Sequence, residues 1–150
     1  MLLKTHLAFA VLLILIFLQQ VQSKFIFIIM VLISTIIPDL DFGNSRFGKY
    51  LIFKPLQIFV KHRGVIHSFS FAILIAFVLA VFWPVSCFGF FVGYSAHLIC
   101  DSFTKKGIQP FWPLKFKSSG ILKTGGRIEE GIFIGLIIVS VILILSFFIF

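Results

Sequence analysis

Acidic side chains are scarce in this sequence. Asp and Glu together number five against thirteen Lys and Arg, and charged residues make up only 12% of the 150. With 60% of the residues hydrophobic and 22 Phe, so small a polar inventory cannot cover the surface of a soluble domain. Lipid has to be the solvent for most of the chain, which makes it an integral membrane protein. Cysteine is equally sparse: Cys87 and Cys100 form no CxxC pair and no disulfide framework, and both read as small apolar fillers. Internal repeats and low-complexity linkers are absent, so residues 1–150 read as one domain.

Apolar segments are present at roughly 7–21, 25–38, 67–83, 85–100 and 131–150. If each crosses the membrane, the connections alternate between two sides. One side receives Lys4, then Arg46, Lys49, Lys54, Lys61 and Arg63, then Lys105, Lys106, Lys115, Lys117, Lys123 and Arg127; the other receives Lys24 alone. That asymmetry places the N-terminus in the cytoplasm and the C-terminus outside. Anionic lipid on the cytoplasmic leaflet accounts for the net charge of +8, so no nucleic-acid partner is implied. A secretory signal peptide is the competing reading of residues 1–23; a retained segment puts His6 where a metal ligand is useful.

The spacing predicts an all-α bundle of about five short transmembrane helices. Several segments fall below the roughly 20 residues that span a full hydrocarbon core, so their polar ends must approach the headgroups or the bilayer must thin. "FWPVS" at 82–86 suits a tight turn at the outer interface and makes segments three and four a helical hairpin. Between Phe42 and Lys61, cations recur at near-helical intervals among aromatic and aliphatic residues, the pattern of an amphipathic helix lying in the membrane surface and broken near Pro55. Thr104 to Arg127 reads as irregular backbone at the interface, anchored by Trp112.

The four histidines, His6, His62, His67 and His97, and the three aspartates, Asp39, Asp41 and Asp101, all fall at cytoplasmic ends of these segments. Threading alone brings residues distant in sequence into one layer. His97 and Asp101 are i and i+4 and share a helix face. His62 and His67 converge only if His62 lies in the preceding turn, which Gly64 permits. Asp39 and Asp41 flank Leu40 where Pro38 ends a helix, so their side chains can point the same way. Plainer readings exist: an interfacial histidine, a pair of acids terminating a helix, a structural His–Asp pair. The one-sided placement of the whole set favours a metal site, because ionisable groups within membrane segments are functional candidates by default. Mixed imidazole and carboxylate donors suit zinc, with manganese or iron as alternatives, better than magnesium or calcium. Up to seven ligands exceed one tetrahedral site and suit two ions, with Asp39 or Asp41 bridging. Arg63 is a candidate to steady negative charge, and Glu129 a candidate base, although an acid opening a helix also fits the macrodipole.

With "PDLD" at 38–41, "HRGVIHS" at 62–68, "GYSAHLICDSFTKKGIQPFWP" at 93–113 and "TGGRIE" at 124–129, the sequence resembles the YdjM-like family of membrane-bound metal-dependent hydrolases. The resemblance implies a multi-helix inner-membrane fold and hydrolase activity. It also implies His6, Asp39, Asp41, His62, His67, His97 and Asp101 as metal ligands, with Arg63, Thr104 and Glu129 as polar neighbours. The expected activity is therefore hydrolysis of an ester or phosphoester of a lipid-like substrate at the cytoplasmic face. Alternatives are a metal or proton transporter and a non-enzymatic adaptor with a closed structural metal site.

Overall fold

The apolar segments fold into five helices in a computed structural model that describes residues 1–41, 50, 54 and 64–149. They are α1 (Leu3–Phe17), α2 (Lys24–Ile36), α3 (Phe69–Phe82), α4 (Pro84–Ser102) and α5 (Arg127–Ile149), with a 3-10 turn over Ile37–Asp41 closing α2. Among the described residues there is no strand, only two isolated bridges in the connection between α4 and α5. The surface helix expected over residues 42–61 lies outside the described residues.

Local chemistry sets the boundaries. Pro84 stands at the first position of α4, where its missing N–H costs nothing, and Trp83 makes the whole turn from α3. Ser68 caps α3 by accepting from the Phe71 amide at 3.2 Å. Helix α1 begins and ends about four residues earlier than the apolar run suggests. Its N-terminal turn is fixed from outside by Glu129, and the chain turns at the polar Gln19 and Gln20.

Among the described residues, only α5 is long and apolar enough by itself to cross a membrane. Its window Arg127–Phe147 holds 21 residues, about 31 Å at 1.5 Å per residue, against a hydrocarbon core of about 30 Å. At 15, 13 and 14 residues, α1, α2 and α3 reach only about 20–22 Å each, so a bundle of five full spans does not follow from their lengths. Nevertheless α3 exposes Ile73, Leu74, Phe77, Val81 and Phe82, and α5 exposes apolar side chains along its length. Exposed apolar surface of this extent marks a membrane or protein–protein contact.

The tightest interface joins α2 to α4. Gly89 and Gly93, four apart on one face of α4, lie against Phe27, Met30, Val31 and Ser34 of α2. A Cβ at Gly93 would stand 2.2 Å from both the Val31 carbonyl and Ser34 Oγ, so nothing larger than glycine fits. This is the small-residue packing by which helices in lipid bring their backbones together. Thr35 seals the contact by donating Oγ1–H to the Gly93 carbonyl at 3.1 Å as well as to Val31 at 2.7 Å. Helix α3 lies on the other flank of α4, and α1 bridges α2, α4 and α5.

Candidate metal centre

Close approach of α2 and α4 positions His97. Its Nδ1 lies 2.8 Å from the Thr35 carbonyl at the end of α2. A carbonyl only accepts, so Nδ1 carries the proton and the neutral ring presents Nε2 as a lone pair. That nitrogen is buried with no hydrogen-bond partner among the described residues. It faces Asp39 Oδ1 at 3.8 Å and Asp101 Oδ2 at 4.0 Å, too far for hydrogen bonds. In the neutral ring this nitrogen is an acceptor turned toward two carboxylates, an arrangement that a cation between them would stabilise.

The other groups converge on the same point. His6 of α1 stacks on His97 with ring centroids 4.1 Å apart and planes 7° from parallel, and its Nε2 is 3.5 Å from Asp101 Oδ1. Asp101 Oδ1 also receives the amino group of Met1. His67, just before α3, sets its ring across that of His97 at 5.4 Å. Two triplets have potential ligand atoms within 4.8 Å of one another and could each close on an ion: His6, Asp39 and His97, and His67, His97 and Asp101. His97 belongs to both but has only one nitrogen left to give, so both sites cannot use it at once.

Behind the cluster lies a layer that aims it. Asp41 Oδ2 is 3.2 Å from His67 Nδ1, with both side chains buried. A carboxylate on Nδ1 makes Nε2 the ligand atom and raises its basicity. Tyr94 of α4 donates its hydroxyl to the Ile66 carbonyl at 2.6 Å, tying the turn that carries His67 to α4. The Phe69 amide donates to the Pro110 carbonyl at 2.7 Å, which seats the α4–α5 connection under the same turn. Thr104 donates Oγ1–H to the Asp101 carbonyl at 2.7 Å. Burial raises the pKa of Asp39, and His6 opposes the shift.

Of the residues singled out in the sequence, His6, Asp39, His67, His97 and Asp101 meet in this cluster, and Asp41 stands behind His67. Glu129 is elsewhere: Oε1 accepts from the Leu2 amide at 2.6 Å and Thr5 Oγ1 at 2.9 Å, and Oε2 accepts from the Gly125 amide at 2.6 Å. It joins the start of α1 to the start of α5 and thereby holds the turn that carries His6. His62 and Arg63 lie outside the described residues. Sequence reasoning passed over Thr35, Tyr94 and the glycine pair. The pair was signalled by the repeat "GFFVG" at 89–93, and Thr35 by "ST" interrupting an apolar run.

Exposed apolar helices around one buried layer of histidine and aspartate define an all-helical membrane protein with a metal-competent centre. The chain belongs to the YdjM family of inner membrane proteins, whose description, YdjM inner membrane protein, matches residues 1–150. It is 33% identical over 95 residues to Inner membrane protein YdjM of Escherichia coli (strain K12), covering 57% of this chain and 48% of that one, and equally to the Shigella flexneri protein of the same name. It is 27% identical over 115 residues to the Uncharacterized protein YvsG of Bacillus subtilis (strain 168), covering 72% of this chain and 71% of that one. The matched region thus spans about half the length of the two YdjM proteins. No solved structure matches.

Proposed function

We propose that this protein is a multi-pass, metal-dependent hydrolase with its centre at the cytoplasmic face of the inner membrane. The observation that carries the reading is His97, locked by the Thr35 carbonyl with its remaining nitrogen toward Asp39 and Asp101. His6, His67, His97, Asp39 and Asp101 would hold a divalent transition ion, zinc before manganese or iron. Such an ion lowers the pKa of a bound water and polarises an ester or phosphoester oxygen. Asp41 would fix the His67 tautomer, while Asp39, the least buried of the three aspartates, would meet substrate or bridge a second ion. The centre lies at the ends of the helices, at the depth where a lipid has its polar linkage, which favours a lipid-like substrate. The positive-inside asymmetry supports the cytoplasmic orientation.

A transporter needs polar groups along the whole path. Away from the cluster, Ser86 and Ser140 donate to the carbonyls of Trp83 and Leu136, at 2.7 and 2.8 Å. Both bonds are local to their helices, which favours the enzyme. Elemental analysis of the purified protein tests the reading: one or two equivalents of transition metal are expected, largely lost in His97→Ala. Protein free of transition metal, or an His97→Ala variant with unchanged content, would overturn it.

A further inference from the structure

A crevice of about 290 Å3 lies beside the cluster, between Thr5 and Phe9 of α1, Cys100 of α4, Phe103, and Ile132 and Leu136 of α5. From this crevice we infer that the protein seats one acyl chain of a membrane lipid there, so that the lipid's polar linkage falls at the His/Asp cluster. The inference rests on the proposed hydrolase reading for what happens to the linkage, but not for the seat itself.

The chemistry of the walls selects the occupant. Thr5 donates its hydroxyl to Glu129 and so turns only its methyl to the crevice. Every surface presented is apolar, so water and a charged headgroup are both excluded. Helix α5, which forms one wall, is apolar and almost wholly uncovered by the rest of the protein, and the family resides in the inner membrane. What surrounds this wall is therefore acyl chain. The crevice also adjoins the cluster through covalent neighbours: Thr5 precedes His6, and Cys100 precedes Asp101. Met1, which also lines the crevice, reaches the cluster with its amino group on Asp101, so a chain seated with its linkage end toward Met1 brings that linkage to the edge of the cluster. A second apolar hollow, between α3 and α4 and lined by Ile73, Phe77, Cys87 and Phe88, is flanked by no such groups, and it serves as the control.

The test uses the full chain in phospholipid vesicles with a phosphatidylglycerol carrying a photoactivatable diazirine on one acyl chain, the adducts being mapped by peptide mass spectrometry. Saturable labelling is expected on Phe9, Cys100, Ile132 and Leu136, above that on Phe77 and Phe88. Leu136→Trp, which fills the crevice from a lipid-facing helix, should lower it about tenfold, the loss of roughly two buried methylenes. Phe9→Ala, which enlarges the crevice, should raise it, so the inference survives a poorly folded tryptophan variant. Labelling spread equally over both hollows, or unchanged by both substitutions, overturns the inference. Metal content measured on the same samples separates the two readings. Labelled protein without metal removes the hydrolase and leaves the chain seat, whereas metal-loaded protein without labelling does the reverse.

Discussion

A histidine becomes a ligand when something else decides its tautomer. For His97 the decision belongs to a backbone carbonyl, which no side-chain substitution at Thr35 removes. For His67 it belongs to Asp41, and that can be changed. Asp41→Asn is expected to weaken metal affinity 10–100-fold while leaving helix content intact, as measured by metal titration and circular dichroism. An Asp41→Asn protein with wild-type affinity would make Asp41 a bystander. The residue types and their convergence were legible in the sequence, because these side chains fall near the ends of the apolar segments, and those ends come together in the fold. The division of labour between Asp39 and Asp41 was not. Both acids sit at the same exit from α2, and only the fold turns one toward His67 and the other toward His97.

At the scale of elements, the apolar runs and the Trp83–Pro84 turn announced the helices, and the hairpin of α3 with α4 formed where expected. That α4 packs more closely on α2 than on its hairpin partner was hidden. Lipid-facing and helix-facing apolar residues look alike in sequence, so helix pairing in membranes is written in small residues rather than in hydrophobic ones. Gly93→Ala is therefore expected to cost about 1–3 kcal/mol, and to reduce metal content with it by moving Thr35 away from His97. Gly135→Ala, where an added Cβ meets nothing within 4 Å, should leave both unchanged, as thermal unfolding and elemental analysis can check. A second pair of contacts separates buried from exposed acids. Glu129→Ala leaves the Leu2 and Gly125 amides without their acceptor and should destabilise by about 1–3 kcal/mol. Glu130 pairs with Lys4 at 2.5 Å in the open, so Glu130→Ala should cost under about 1 kcal/mol.

For the whole molecule, the described helices put every described histidine and aspartate at one end and leave lipid to cover the rest. A cation bound among these buried groups would add to the pairs they already make, so a metal held there is expected to act as part of the fold. Saturating transition metal at about 100 times its Kd should stabilise by about 2.7 kcal/mol, and a strong chelator should lower the unfolding temperature reversibly. A chelator-treated protein that unfolds at the same temperature would show that the cluster holds nothing.

Glu129 carries one more consequence, which concerns the order of events in synthesis. The four helices that carry or flank His6, Asp39, His67, His97 and Asp101 are complete by residue 102, yet the turn that holds His6 is fastened by a carboxylate from α5, which is made after them. Until α5 enters the membrane, the nascent chain carries its ligands without the clasp that gathers them. Gathering of the cluster is therefore expected to wait on α5.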